Sequence, residues 1–390
     1  MNFDEIVNRY NTQSIKYDSI SKRSMPEGVL PFWIADMDFK SPQVVIDRLH
    51  QRIDHGIFGY SDVDDSYNEI VLKWFKDNHQ MELKAEWLFQ TPGVVYAISL
   101  VVRSLTQKDD PVLTITPAYY PFFSVVEDNN REIVTSDLIE ESGYYSLDYD
   151  DIETQIKEKK IKLVIFCNPH NPVGRAWKKE ELSRLVEILK KYDCILVSDE
   201  IHMDFVYEPN HHESIVNCDP LWNQWIVCTS ASKTFNLATL QLSNIIVSDC
   251  SIRNKLLEEK QKTGYDQPSI MGLVATKAAY ELGLPWLIEV RRYIKSNYDY
   301  LCEYCQKHLP LVRVSPLEAT YLVWIDFRAY GLNADVLNEK IVNEAGLWLD
   351  DGLMFGEKGR GFQRINIATP RTVLEKGLER LAAVFEQDDA

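Results

Sequence analysis

The chain has 390 residues, of which 45% are hydrophobic and 11% are aromatic, and its 59 acidic against 42 basic residues give a net charge of −17. This length suits two domains with a buried core, and the acidic balance argues against a general nucleic-acid binder and against a protein that binds anionic membranes. No uncharged segment is long enough to cross a bilayer as a helix.

The N-terminus and the cysteines indicate a cytoplasmic protein. The first ten residues, MNFDEIVNRY, bring two acidic side chains before any apolar run, so we expect no cleaved secretion signal. The seven cysteines are odd in number and scattered, which is not typical of a disulfide framework. Cys302 and Cys305 have CxxC spacing, but they lie in a helix-like segment without a second pair of cysteines. His211 and His212 lie in a segment that is predicted to be a polar loop, without an acidic or cysteine partner at ligand spacing. We therefore predict no metal site.

The sequence patterns divide the chain into three parts. Residues 1–46 contain LPFWIADMDF but no strand and helix unit, and we expect this segment to pack against the smaller C-terminal domain. Residues 47–285 alternate short β-branched runs with helical patterns, which predicts a large domain with a largely parallel sheet covered on both faces. Residues 286–390 mix long amphipathic segments with the strand-like TYLVWIDF and FQRINIA, which predicts a small α+β domain.

Five runs of the large domain are predicted to be strands. They are PVLTITPAY from Pro111, KLVIFCNP from Lys162, CILVSDEI from Cys194, WIVCTSAS from Trp225 and SNIIVSD from Ser243. Between the second and third lies KKEELSRLVEILKKYD, in which Leu182, Leu185, Val186 and Leu189 fall on one face of a predicted helix.

Polar residues follow three of these strands. These residues are Asn171, Asp199 and Lys233, and each is separated from the next by about the length of one strand and one helix. The carboxyl ends of parallel strands meet at one edge of a sheet. We therefore expect an amide, a carboxylate and an amine to converge. Pyridoxal phosphate requires such a set, because its aldehyde takes a lysine and its pyridine nitrogen needs a carboxylate to stay protonated.

The phosphate of that cofactor also has a candidate site. In QTPGVVYAISLVVRSL, Gly93 precedes a helical run whose free N–H groups and dipole attract an anion. Ser230 and Ser232 are placed to help bind the phosphate. Tyr119 in TPAYYPF, just past a strand end, is placed to stack on the cofactor ring. Motifs for other cofactors do not match. GEKGRG differs from the dinucleotide-binding fingerprint in the order of its glycines and in its position before a strand-like segment, and the sequence has no P-loop motif for nucleotide phosphates.

Several motifs together carry a family resemblance. NPHNPVG, SDEIH and SASKTFNL resemble fold-type I pyridoxal-phosphate enzymes of the class I/II aminotransferase superfamily. More narrowly, FWIADMDF, HGIFGY, SDEIHMDF, SKTFNLATLQLSN and GFQRINIATPR resemble the MalY/PatB type of cystathionine β-lyase, also called cysteine-S-conjugate β-lyase. The resemblance implies an α/β fold with a mostly parallel seven-stranded sheet, a smaller α+β domain, and a homodimer whose active sites are shared between subunits.

The resemblance also implies residue roles at the cofactor. Lys233 would form the Schiff base, Asp199 would pair with the pyridine nitrogen, Asn171 would bind the ring hydroxyl and Tyr119 would stack on the ring. The other cofactor residues that it implies are Gly93, Val94, Val95, His202, Ser230 and Ser232.

For the substrate, the resemblance implies three further residues. Arg364 in FQRINIA would hold the α-carboxylate, a role that suits a planar, two-pronged donor. Ala35 would border the substrate, and Tyr60 of the neighbouring subunit would assist proton handling.

Two departures from the aminotransferase pattern favour the lyase branch. His202 stands where aminotransferases commonly have tyrosine, and Gln241 stands where they often have a phosphate-binding arginine. Thr239 occupies a position that is often glycine in the lyases. We expect α,β-elimination from a sulfur amino acid, which gives a thiol, pyruvate and ammonia. A pyridoxal-phosphate-dependent aminotransferase and a ligand-sensing regulator on the same fold stay open as alternatives.

Overall fold

The computed structural model describes residues 1–386. Its strands are β1 (Leu30–Pro31), β2 (Leu88–Thr91), β3 (Pro111–Thr116), β4 (Glu132–Asp137), β5 (Ile139–Glu141), β6 (Tyr144–Ser146), β7 (Leu163–Cys167), β8 (Ile195–Asp199), β9 (Trp225–Thr229), β10 (Ser243–Ile246), β11 (Arg313–Val314), β12 (Leu322–Asp326), β13 (Leu347–Trp348), β14 (Asp350–Asp351) and β15 (Phe362–Asn366). Its α-helices are α1 (Ile15–Asp18), α2 (Gln43–Asp54), α3 (Asp65–His79), α4 (Val94–Leu105), α5 (Pro121–Asp128), α6 (Tyr149–Lys159), α7 (Lys179–Lys191), α8 (Ala231–Thr234), α9 (Cys250–Lys262), α10 (Ile270–Leu282), α11 (Leu284–His308), α12 (Ala334–Glu339) and α13 (Arg371–Phe385).

A seven-stranded sheet forms the centre of the large domain. Its strand order is β2-β10-β9-β8-β7-β3-β4. The run from β9 to β4 is parallel, whereas β10 is antiparallel to both β2 and β9. All five strands predicted from the sequence are present, so the prediction of a mostly parallel sheet is confirmed.

Both faces of this sheet are covered, which explains why its strands are apolar along their whole length. Alternate residues of β7 enter different apolar clusters, with Val164 and Phe166 in one and Leu163 and Ile165 in the other. The four residues predicted to share one face of α7 are all buried. Burial on both faces forces the polar groups of the domain to the strand ends.

The C-terminal part contains a four-stranded antiparallel sheet in the order β11-β12-β15-β14, next to α11, α12 and α13. This architecture confirms the prediction of a smaller α+β domain. The N-terminal segment contacts it directly, because β1 pairs in parallel with β13. The boundaries at residues 46 and 285 stay a prediction. Among the described residues, no helix is both long enough and apolar enough to span a membrane.

The adjacent histidines differ from the prediction in one respect. His211 is exposed, with its Nε2 2.7 Å from Glu213 Oε1, as a polar loop predicts. His212 is instead buried, and its Nε2 lies 2.9 Å from Glu200 Oε2. Both histidines lie in a loop, as predicted, but the sequence did not indicate that His212 would be buried against the carboxylate of Glu200, which follows β8 and is itself buried.

Candidate active site

A cavity of about 190 Å³ lies at the carboxyl ends of β7, β8 and β9. The residues predicted from the sequence that border it are Ala35, Gly93, Val94, Val95, Tyr119, Asn171, Asp199, His202, Ser232 and Lys233. Tyr60, Ser230 and Arg364 do not border it. The parallel strands thus bring the amide, the carboxylate and the amine to one space, as their shared edge requires.

Lys233 lies in the short helix α8 with its amine at the cavity. Its Nζ donates a hydrogen bond to the backbone oxygen of Ala35 at 2.6 Å. Burial lowers the pKa of Lys233 to about 8, and the Arg364 cation acts in the same direction. The carboxylates of Asp36 and Asp199 act in the opposite direction. A lysine with this pKa is partly neutral near pH 7, so it can accept a proton.

Asp199 ends β8 at the back of the cavity. Burial raises the pKa of its carboxyl to about 7, although the Ile201 N–H and the Lys233 ammonium favour the ionised form. The Ile201 N–H donates to Asp199 Oδ1 at 3.1 Å. A buried carboxyl with a raised pKa gains from a bound cationic N–H donor, and a protonated pyridine ring is such a donor.

Asn171 is oriented by Arg364. Arg364 Nη1 donates to Asn171 Oδ1 at 2.8 Å, which leaves the Asn171 amide NH₂ as the group that can donate into the cavity. Arg364 lies on β15 and is 2% exposed. Its Nη2 forms a salt bridge with Asp350 and donates to the backbone oxygen of Trp33 at 3.4 Å. Arg364 Nε is buried and has no hydrogen-bond partner among residues 1–386.

The predicted phosphate site lies at Gly93, which precedes α4 and borders the cavity. The first N–H groups of a helix have no partner within the helix, so those of Val94 and Val95 are suited to an anion. A Cβ added to Gly93 would meet no atom within 4 Å, so this backbone borders open space. A phosphate therefore has room to approach these N–H groups.

Ser230 lies one layer behind Ser232 and does not border the cavity, so its part at the phosphate stays a prediction. Ser230 Oγ donates to the backbone oxygen of Leu242 at 2.6 Å and accepts from Ser232 N at 3.1 Å. Ser232 Oγ donates to Ser230 Oγ at 2.8 Å. Ser230 begins α8, and the hydrogen bonds that an N-cap residue makes hold its side chain away from the cavity.

Two aromatic residues border the ring end of the cavity. Burial lowers the pKa of His202 to about 3, with the Lys233 and Arg364 cations adding to the effect, so its imidazole is neutral. His202 Nδ1 is buried without a hydrogen-bond partner in the described chain. Burial also raises the pKa of Tyr119, which keeps its hydroxyl protonated. Neither side chain adds a charge to the site.

Tyr60 is 98% exposed and does not reach the cavity of its own chain. Its neighbours Ile57 and Phe58 are also largely exposed. A single chain thus leaves an apolar loop uncovered, and the predicted role of Tyr60 depends on a second subunit.

The sequence reasoning missed several residues around the cavity. Asp350 was missed because its pairing with Arg364 depends on the register between β14 and β15. Cys167 ends β7 and lines the cavity, and burial raises the pKa of its thiol. Gln241, noted only as a departure, also lines the cavity and has a left-handed backbone with φ of 50°. The other missed lining residues are Pro92, Ile201, Ala238, Leu242 and Ser243.

Comparison with known proteins identifies relatives along nearly the whole chain. The model of the family described as aminotransferase class I and II matches residues 27–381. Cystathionine beta-lyase PatB of Bacillus subtilis is 36% identical over 386 residues, which cover 99% of this chain and 100% of the relative.

Two solved structures are similar in both fold and sequence. Cystalysin from Treponema denticola, which contains a pyridoxal 5'-phosphate cofactor, matches with a TM-score of 0.96 and 35% identity over 99% of each chain. The pyridoxal-phosphate-bound C-S lyase from Staphylococcus hominis matches with a TM-score of 0.92 and 35% identity over 99% of this chain and 98% of its own.

Proposed function

Because this chain belongs to the class I and II aminotransferase family, we propose that it is a pyridoxal-phosphate-dependent carbon–sulfur lyase. Its reaction is α,β-elimination from cystathionine, a cysteine S-conjugate or a related thioether amino acid, which gives a thiol, pyruvate and ammonia. The observation that carries this proposal is the meeting of Lys233, Asp199 and Asn171 in one cavity beside the start of α4.

The residues around the cavity fit pyridoxal phosphate. Asp199 provides the carboxylate for the ring nitrogen, and Asn171 provides the amide NH₂ for the ring hydroxyl. Tyr119 lines the cavity and would stack on the ring. The phosphate would be held by the N–H groups at the start of α4 and by the Ser232 hydroxyl. No arginine lines the cavity within residues 1–386, so backbone and hydroxyl groups would hold the phosphate.

When bound, the cofactor supplies an electron-accepting ring that stabilises negative charge at the α-carbon of the substrate. Lys233 provides the base: its neutral Nζ takes the α-proton, which its lowered pKa makes possible near neutral pH. Asp199 would be held in its ionised form by a protonated ring nitrogen, which would offset the effect of burial on its carboxyl. The surrounding apolar sheet excludes water and so strengthens both electrostatic effects.

Arg364 orients the substrate through its α-carboxylate. Its guanidinium is held by Asn171 and Asp350, and its buried Nε keeps an unused donor. A carboxylate bound there fixes one end of the amino acid, so that the α-carbon lies near Lys233. The same arginine thus decides which bond at the α-carbon is exposed to the base.

We further propose a homodimer in which Tyr60 enters the active site of the neighbouring subunit and hands a proton to the departing thiolate. The exposure of Tyr60, Ile57 and Phe58 supports this assignment, because a second subunit would cover an apolar loop that one chain leaves open.

A cytoplasmic location is part of the proposal and is supported by the seven cysteines, none of which forms a disulfide. The partners are then a sulfur amino acid and a second copy of the chain, with no nucleic acid and no membrane.

The test is incubation of the purified, cofactor-loaded protein with cystathionine or S-methylcysteine, with thiol and pyruvate measured over time. Release of both products without any added 2-oxo acid is expected for the lyase. Amino transfer that depends on an added 2-oxo acid, without thiol release, would instead establish the aminotransferase alternative. Binding of the amino acid without turnover of either kind would favour the ligand-sensing regulator.

A further inference from the structure

Residues 34–39 form a loop, here called the bridging loop, that joins the two halves of the candidate active site. On one side, Asn236, three residues after Lys233, accepts from Met37 N at 3.0 Å and donates to Met37 O at 2.9 Å. On the other side, Asn366, two residues after Arg364, donates to the backbone oxygen of Ile34 at 2.8 Å. A shift of this loop would therefore act on both the amine and the guanidinium.

The bridging loop also contacts the amine directly. The backbone oxygen of Ala35 accepts hydrogen bonds from Lys233 Nζ at 2.6 Å and from the Tyr321 hydroxyl at 3.1 Å. The position of this single carbonyl sets where the Lys233 nitrogen lies. Contacts that hold the bridging loop in place therefore also determine the position of the Lys233 side chain.

Arg9 fixes the loop from the N-terminal segment. Its guanidinium donates to both carboxylate oxygens of Asp36 at 2.9 and 2.6 Å, to Met37 O at 3.2 Å, to Asp38 Oδ1 at 2.7 Å and to Ser14 Oγ at 3.1 Å. The Arg9 side chain thus contacts three consecutive residues of the bridging loop, Asp36, Met37 and Asp38. A planar, five-donor group is needed for this arrangement, which lysine cannot reproduce.

A second cation completes the cluster. Lys16 is fully buried, and its Nζ lies 2.9 Å from Asp38 Oδ2 and 3.8 Å from Asp36 Oδ1. Two cations thus balance two carboxylates next to the cavity. Buried ion pairs contribute little net stability because desolvation offsets their attraction, so this cluster is better explained by the shape and charge that it imposes.

The charge of Asp36 reaches Lys233. Asp36 favours the ammonium form of Lys233 against burial, and Asp199 acts in the same direction while the Arg364 cation acts in the opposite one. The other polar side chains at this end of the site carry no charge: His202 is neutral, the Tyr321 hydroxyl donates to Ala35 O, and Tyr119, Asn171 and Ser232 line the same cavity. Arg9 offsets the Asp36 charge and so keeps the Lys233 amine closer to its neutral form.

We propose that Arg9 is a positioning residue for Lys233, which acts by holding the bridging loop and by neutralising Asp36. This role rests on the proposed assignment of Lys233 to the cofactor, and it does not depend on whether the reaction is elimination or amino transfer. Loss of the Arg9 cation strengthens the field of Asp36 at the amine, whereas loss of the Asp36 charge weakens it. The two substitutions therefore act in opposite directions.

The experiment compares Arg9→Gln, Arg9→Lys and Asp36→Asn in the cofactor-loaded protein. The readout is the pH midpoint of the visible absorption change of the bound cofactor, measured beside thermal unfolding. Arg9→Gln should raise the midpoint by about half a pH unit or more, and Asp36→Asn should lower it. Arg9→Lys retains the charge but not the fork that holds the loop, so its midpoint should stay close to that of the parent protein while kcat falls more than KM rises.

Lys40→Gln is the matched control, since Lys40 forms an exposed ion pair with Glu5 in the same segment. It should leave the midpoint unchanged. If Arg9→Gln fails to fold, the lowering by Asp36→Asn and the unchanged midpoint of Arg9→Lys still decide the matter. Midpoints for Arg9→Gln and Asp36→Asn that move together, or that stay at the parent value while only the melting temperature falls, would refute the role of Arg9. These midpoints can be measured even if thiol release is never observed, so failure of the proposed function would be seen separately.

Discussion

The two walls of the cavity differ in how far their polar groups already have partners. On the wall from the large domain, the Asp199 carboxyl has a raised pKa, and Val94 and Val95 at the start of α4 border the cavity. Behind the wall from the N-terminal segment and the small domain, where Ala35 borders the cavity, Arg364 is paired with Asp350 and Arg9 with Asp36. The first wall is arranged to receive a ligand, and the second is arranged to hold its own shape.

This difference makes the effect of substitutions predictable. Changes on the first wall should remove function while the cofactor-free fold keeps or gains stability, because groups without partners contribute little to folding. Changes on the second wall should lower function and stability together, because they leave a buried charge without its partner.

The largest expected effect is that of Lys233→Ala. Removal of the base should lower thiol release by about 10³-fold or more, and the protein should no longer retain its cofactor after borohydride treatment. Lys262→Ala on the exposed end of α9 is the control and should keep full activity. A variant that still holds the cofactor covalently would show that another lysine forms the link.

Asp199→Asn should lower kcat by about 10²-fold, because the ring nitrogen loses its carboxylate. The cofactor-free variant should melt at a higher temperature than the parent at pH 8. The reason is that a carboxyl with a folded pKa of about 7, above its ordinary 3.8, costs stability that grows as the pH rises between these values.

Thermal unfolding of the cofactor-free proteins at pH 3 and pH 8 checks this sign, since the difference should disappear at pH 3. Asp193→Asn, at an exposed position just before β8, is the control. A lower melting temperature for Asp199→Asn at pH 8 would contradict the comparison of the two walls.

Arg364→Lys tests the second wall. Lysine retains the charge but loses the fork, so KM for the amino acid should rise by about tenfold and the melting temperature should fall as well. Arg360→Lys, which is exposed in the same domain, should change neither value. An unchanged melting temperature for Arg364→Lys would place this residue with the first wall instead.

The smallest expected effect is that of Ser230→Ala, which sharpens the assignment of the phosphate side. Because Ser230 contacts Ser232 rather than the cavity, its loss should weaken cofactor binding by about two- to threefold, as measured by fluorescence titration. Ser232→Ala should weaken binding more. The reverse order would show that Ser230 contacts the phosphate directly.

The first wall was more predictable from the sequence than the second. Asn171, Asp199 and Lys233 each follow a strand, and the rule that parallel strands end at one edge brought them together without any long-range information. The same local reasoning identified Gly93 before α4. The strand pattern also predicted the parallel core of the sheet, because burial on both faces leaves a continuous apolar run.

The second wall depends on contacts between distant parts of the chain. The pairing of Arg364 with Asp350 follows from a strand register, and the pairing of Arg9 with Asp36 follows from the path of an irregular N-terminal segment. Neither leaves a periodic pattern in the sequence. His212 shows the same limit, since only the structure brings it to Glu200.

The hydrogen bond from Arg364 to Asn171 has a thermodynamic consequence. If Arg364 holds the substrate carboxylate and Asn171 the cofactor ring, as proposed, this bond joins the two sites and links their binding equilibria. By reciprocity, any factor by which a bound amino acid tightens the hold on the cofactor is also the factor by which the cofactor tightens the hold on the amino acid. Where that factor exceeds one, the protein holds its cofactor more firmly with the amino acid bound than without it.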